Sequence, residues 1–116
     1  MLSSSEFAHR LEDAMQDESG IIVPEGAEPA AYYEALRNSV RAAACEPLLV
    51  RAVITGEDFP GELQGQQVAA YVLAASEGYW LTYQPESDRF YCFWGSDPTR
   101  LAAHRGPGSP LFVWWD

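Results

Sequence analysis

Two histidines, two cysteines and one cluster of carboxylates are the side chains of this chain that could carry chemistry. His9 lies in a stretch of helical periodicity and reads as a solvated surface residue. His104 falls at the end of a predicted short helix, where a protonated imidazole complements the helix dipole. Together with Cys92 it would supply the thiolate and imidazole that cysteine nucleophiles need, but no local pattern joins the two. The chain has no CxxC or HxxxH pair for zinc. It also lacks a P-loop, a GxGxxG turn and a GxSxG elbow. No catalytic residue, metal or cofactor is therefore assigned. Glu57, Asp58 and Glu62 cluster in the loop GEDFPGELQG, 56–65, but not at the spacing of an EF-hand. That loop reads as a solvated acidic segment carrying Phe59, and as the best candidate for contact with a partner.

Charge narrows the function classes further. Seventeen acids oppose seven arginines, a net of −10. Residues 1–62 hold twelve acids and four Arg, so most of the imbalance is N-terminal. Such a surface repels phosphate backbones and anionic lipid headgroups, so neither nucleic acid nor membrane is expected as a partner. It would steer a basic protein toward the chain. No run approaches the ~20 apolar residues that span a bilayer. The segment MLSSSEFAHRLEDAM has no basic region followed by an apolar one, so a secretory leader is not expected. The expectation is a soluble cytoplasmic protein, one domain over 1–116. Cys45 and Cys92 are too few for a disulfide scaffold and read as small buried hydrophobes.

The elements that would position these residues are set by periodicity. Residues 3–18 predict an amphipathic helix with a Ser3/Glu6 capping box and a Phe7, Leu11, Ala14, Met15 stripe. The connector 20–28 holds Ile21-Ile22-Val23, a brief edge strand or an apolar plug. Residues 29–45 predict a second helix, with Pro29 at its first position and Pro47 ending it. Residues 48–55 read as a strand. Residues 67–75 fit strand and helix alike, and their regular spacing to the aromatic stretch downstream favours strand.

Tyr79 to Trp94, YWLTYQPESDRFYCFW, then reads as an aromatic β-hairpin turning over Gln84–Asp88. It holds seven of the fifteen aromatic residues, and neither of its faces is cleanly polar. Either both faces are covered or one presents aromatics to a partner. Cross-strand aromatic pairs stabilise a sheet by ~0.2–1 kcal/mol each, so covering both is the expectation. After the break at Gly95–Pro98, Asp97 before Pro98 reads as a helix start, and residues 99–104 predict a short helix with Leu101 inward. Residues 111–115, LFVWW, predict a last strand beside the hairpin, with Trp114 and Trp115 on opposite faces.

The fold class expected is α+β. Two N-terminal helices pack on one face of a mostly antiparallel sheet of about five strands, with a short helix before the last strand. The function expected is a non-enzymatic acidic interaction module, an inhibitor, immunity-type or adaptor protein binding a basic partner. Its candidate contacts are Glu57, Asp58, Phe59, Glu62, Trp80 and Trp115. The alternative is a small-molecule-binding domain or modest enzyme with an aromatic pocket of Tyr71, Tyr83, Tyr91 and Trp94 between sheet and helices. A third arrangement is a homodimer paired through an aromatic edge strand.

Overall fold

A computed structural model describes residues 3–54 and 66–114, without the side chains of 104–107. The acidic loop 56–65, Trp115 and the His104 side chain therefore lie outside the described residues. The chain is α+β: helices α1 (Ser4–Ala14) and α2 (Pro29–Ala43) precede five strands, and a short helix comes after them. The strands are β1 (Ala44–Ile54), β2 (Gln67–Ser76), β3 (Tyr79–Gln84), β4 (Arg89–Trp94) and β5 (Leu101–Gly108), and the last helix is α3 (Pro110–Trp114).

Each strand runs antiparallel to the one before it, and the sheet closes into a barrel. A meander of odd strand number brings its first and last strands together pointing the same way, so the closing seam is parallel. It is short: Ala52, Val53 and Ile54 of β1 face Leu101, Ala102 and Ala103 of β5. The β2–β3 turn is tight because Glu77 and Gly78 both take positive φ, 51° and 84°, as a two-residue primed turn requires.

Both faces of the hairpin are buried, by different means. Inside the barrel, Tyr91 and Phe93 pack with Val50, Ala52, Ile54, Val68, Val72 and Leu101. On the outer face, Leu81, Tyr83, Phe90 and Cys92 pack with Phe7, Leu11, Val40, Leu111 and Val113 of the three helices. A bulge in β2 between Val72 and Ala74 resets the alternation. Upstream of it Val68, Ala70 and Val72 join the barrel interior. Leu73 and Ala74 at the bulge turn to the helices.

Helix α1 starts where its capping box predicts. The Ser3 hydroxyl accepts the Glu6 N–H, and the Glu6 carboxylate accepts the Ser3 N–H. It ends at Ala14, earlier than residue 18, which keeps Asp17 and Glu18 off its negative C-terminal end. Arg37 of α2 caps that end instead, donating from Nε to the Met15 carbonyl at 2.9 Å and pairing with Glu18. Arg41 grips both oxygens of Glu12 at 2.9 and 3.0 Å. At the other side of α1, Arg10 donates to both oxygens of Asp88 at 2.8 Å, and the Tyr83 hydroxyl donates to the same carboxylate at 2.6 Å. The helix is thus latched to the hairpin turn.

Several boundaries differ from expectation, and two elements exchange type. β1 begins at Ala44, so Cys45 is in a strand rather than a helix, and Pro47 sits at a register irregularity between Ala44 and Leu48. A proline is tolerated there because the strand edge it occupies has no ladder to feed. The connector forms no strand; Ile21 is buried as a plug while Ile22 is exposed. The short helix predicted at 99–104 is instead β5, with Leu101 and Ala103 in the barrel. Asp97 does not start a helix; its carboxylate holds a turn by accepting the Thr99 N–H at 2.9 Å and the Thr99 hydroxyl at 2.8 Å. The strand predicted at 111–115 is instead α3, so the short helix comes after the last strand rather than before it. Ser109 accepts the Phe112 N–H and Pro110 occupies the first helical position, which is a helix start.

Two stability outcomes are expected from this packing. Phe7 lies tilted against Tyr71, ring centroids 5.0 Å apart, and meets Tyr83 edge-on at 6.2 Å. Phe7→Ala should cost roughly 3–5 kcal/mol in urea unfolding; a loss under 1 kcal/mol would mean that α1 is not held by its apolar stripe. The Asp88 carboxyl is held below the usual carboxylate range, first by Arg10 and then by Tyr83. A group whose pKa falls on folding contributes stability that is complete above its unfolded value of ~3.9 and lost as pH drops through the folded value. Asp88→Asn, which still tolerates the positive φ of 54° at that position, should lower stability by roughly 0.2–1 kcal/mol at neutral pH. The gap to wild type should close in acid; a gap that persists there would mean the ion pair is not its source.

Candidate functional site

The helices cover the outer faces of β2, β3 and β4 but leave much of β1 bare. In β1 the even residues Val50, Ala52 and Ile54 point into the barrel and are buried. The odd residues Leu49, Arg51 and Val53 point outward. Leu49 is 50% exposed and Val53 37%. Val53 lies opposite Ala102 of β5, and Ala102 lies opposite Trp94 of β4. Val53, Ala102 and Trp94 thus form one row across three strands, ending in an indole that is 53% exposed. Leu48 is also exposed, although its parity points inward, because it lies before the point where β5 joins β1.

The short seam leaves a cleft of about 380 Å³ where β1 runs past the start of β5. Leu49, Arg51 and Val53 line one side, and Pro98, Thr99 and Arg100 the other. The two arginines stand apart from those of the helices. Arg10, Arg37 and Arg41 each hold a carboxylate. Arg51 and Arg100 are exposed and hold none among the described residues. The Asp97 carboxylate nearby is turned onto Thr99.

The backbone of this edge can be assigned. The Ile54 N–H donates to Gln66 across the β1–β2 ladder at 2.8 Å. In an antiparallel pair a residue's N–H and C=O share one side and alternate along the strand. With the register continuous from Leu48 to Val53, Val50 and Ala52 also face β2. Leu49, Arg51 and Val53 therefore aim their polar backbone groups at the β5 side. Val53 finds β5 there; the N–H groups of Leu49 and Arg51 meet no strand among the described residues.

The residues singled out from the sequence are distributed over separate surfaces. Trp80 is half-buried against the barrel cluster, and its indole N–H donates to the Gly95 carbonyl at 2.8 Å. Tyr71 and Tyr83 are cross-strand neighbours beneath α1. Tyr91 is inside the barrel, 6.1 Å from Phe93. Trp94 is on the outside. The structure joins Tyr71 to Tyr83 through Phe7, and brings neither Tyr91 nor Trp94 to them. Glu57, Asp58, Phe59, Glu62 and Trp115 lie outside the described residues. Because β3 lies between β2 and β4, and β4 between β3 and β5, no aromatic strand is an edge among the described residues.

Leu49, Arg51, Val53 and Arg100 are functional candidates that periodicity alone does not single out. A signal is present in LLVRAV all the same. An arginine flanked at i±2 by Leu49 and Val53 cannot lie on a fully buried face, so that face has to be exposed or partnered.

A second concavity, of about 470 Å³, separates α1 from the start of β1. Phe7, Ala8, Leu11, Pro47 and Leu73 line it, with Cys45 and Glu46 at the rim. Cys45 is exposed rather than buried as its sequence suggests; partial desolvation first, and Glu46 second, push its thiol above its ordinary pKa. Cys92 is buried on the helix-facing side, with its Sγ 3.6 Å from the Phe93 carbonyl oxygen. Neither cysteine is in a disulfide. Among the described residues no cluster of three or more His, Cys, Asp or Glu could hold a metal ion, and no helix is long and apolar enough to cross a membrane.

No protein-family model, curated protein or solved structure matches the chain.

Proposed function

We propose that this protein is a non-enzymatic acidic interaction module, of the inhibitor, immunity or adaptor kind, that binds a basic protein. The observation that carries the proposal is the exposed row formed by Val53 of β1, Ala102 of β5 and Trp94 at the end of β4, with Leu49 beside it. The chain covers both sides of its aromatic hairpin as far as Phe93, yet leaves Leu49, Val53 and the terminal Trp94 exposed. An exposed tryptophan beside aliphatic side chains is what the centre of a protein interface is made of. The net charge of −10 acts at longer range, drawing a basic partner in before contact. Contact itself is apolar, with Arg51 and Arg100 at the rim. Glu57, Asp58, Phe59 and Glu62 come directly after β1 in sequence and belong to the acidic side of this proposal. Trp80 and Trp115 remain candidate contacts within it. A cytoplasmic setting is part of the same proposal, and two cysteines outside any disulfide suit a reducing compartment.

The test is capture of partners from native lysate on immobilised wild-type protein and on Trp94→Ala and Leu49→Ser variants. Both positions are exposed, so the variants should keep the wild-type circular dichroism. A basic protein retained by wild type, weakened by salt and reduced at least about tenfold by either variant is expected. Retention that is indifferent to both variants would remove this face from the interface.

The groove between α1 and β1 favours a second function, binding of a small apolar ligand. An environment-sensitive apolar dye should bind wild type with enhanced fluorescence, and Ala8→Trp, which fills the groove, should abolish the enhancement. An unchanged dye signal in Ala8→Trp would rule the groove out.

A further inference from the structure

We infer that the free edge of β1 takes up a short extended peptide segment bearing acidic side chains, laid between β1 and the Pro98–Arg100 turn. The inference rests on the proposal that this face is a contact surface, and it names the chemistry of what binds there: a locally acidic segment of a partner whose overall charge is basic. Three features converge on one occupant. The N–H groups of Leu49 and Arg51 point out of the sheet with no strand to receive them among the described residues. Another strand is the backbone that satisfies such a row of groups. Leu49 and Val53 flank the cleft and suit apolar side chains at alternate positions of that strand. Arg51 and Arg100 line opposite sides of the cleft, each without a carboxylate of its own among the described residues, in a chain that pairs all three of its helical arginines. A carboxylate between them gains two charge-assisted donors.

Pro47 sets the length of the site. It offers no N–H and ends the usable edge on the upstream side, while β5 occupies the edge from Ala52 onward. The site therefore accepts a few residues rather than a full strand, which also keeps copies of the chain from pairing indefinitely along this edge.

The probe is a capped octapeptide, Thr-Val-Thr-Glu-Thr-Val-Thr-Glu, whose valines and glutamates share one face as Leu49, Arg51 and Val53 do, titrated into the full-length ¹⁵N-labelled protein. Two control peptides replace glutamate by lysine or carry N-methyl groups at alternate amides. Binding should shift the amide signals of Leu49, Arg51 and Arg100 and slow hydrogen exchange at Leu49 and Arg51. Arg51→Ala with Arg100→Ala should weaken it roughly tenfold, and the lysine and N-methylated peptides should not bind measurably. Equal binding of either control peptide would overturn the inference, as would shifts confined to other strands. Acetate alone reproducing the arginine shifts, with no protection at Leu49, would make this a simple anion site and overturn it. Concentration-dependent protection of the same amides without peptide, with a dimer in sedimentation equilibrium, would assign the edge to a second copy and overturn it too. If the octapeptide fails while Trp94→Ala still abolishes partner capture, the contact surface stands and only the inserted segment is refuted.

Discussion

Residues 79–94 have no polar side to turn to water, and the remaining architecture answers that constraint. A sheet with one wet face can lie open; a hairpin that is aromatic on both faces must be enclosed twice. Curling the sheet into a barrel buries Tyr91 and Phe93 on the concave side. Three helices bury Leu81, Tyr83, Phe90 and Cys92 on the convex side. The five-strand count, the β2 bulge and the placement of α3 are all consistent with this double enclosure. So is the polar residue that does enter the barrel: Thr82 is fully buried, and its hydroxyl donates to the Tyr91 carbonyl across the hairpin.

The helix layer is held by a mixture of apolar and ionic contacts whose chemistry explains the distribution of charge. Ion pairs add to the apolar packing between α1 and α2. Arg41 reaches back to Glu12 of α1, Arg37 to the Met15 carbonyl and Glu18 just past its end, and Arg10 reaches forward to the hairpin turn. Acids outnumber bases so heavily that each helical arginine has a carboxylate in reach. Arg51 and Arg100 lie on the barrel, apart from these pairs. The outcome is two kinds of surface on one small chain: an acidic helical layer whose cations are neutralised, and a barrel cleft whose cations are open to solvent.

Much of the fold is legible in the sequence, and the failures have specific causes. The capping box at Ser3, Pro29 at the first turn of α2, and the hairpin with alternating faces are local signals, and each appears in the structure. The strand at 67–76 is ambiguous in sequence because nearly every residue is apolar; a bulge that sends neighbouring residues to opposite cores is why its pattern is unbroken. The exchange between 99–104 and 111–115 has two causes: Asp97-Pro98 resembles a helix start but closes a turn onto Thr99, and the aromatic run at 111–115 resembles a strand. Leu101 and Ala103 alternate as a strand does, and Ser109-Pro110 is a helix start, but the Trp pair argues for a strand. Barrel closure depends on pairing between β1 and β5, a long-range contact to which no local pattern points. The candidate site is legible least of all: exposure of Leu49 and Trp94 is set by which faces the helices happen to leave bare.

The three-residue parallel seam also has a kinetic meaning. Every other strand pair joins neighbours in the chain, so each can zip from its own turn. The seam alone brings together Ala52 and Leu101, nearly half the chain apart, and gains only three residue pairs for that loop closure. Folding is then expected to reach a curled but open meander first and to shut the barrel last. Native opening would run in reverse through the same gate. Pulsed hydrogen exchange would place the protection of Ala103 after that of the β3–β4 hairpin if this order holds. The barrel would behave less as a rigid cylinder than as a clasped ribbon, whose clasp lies beside the cleft through which the outside world meets β1.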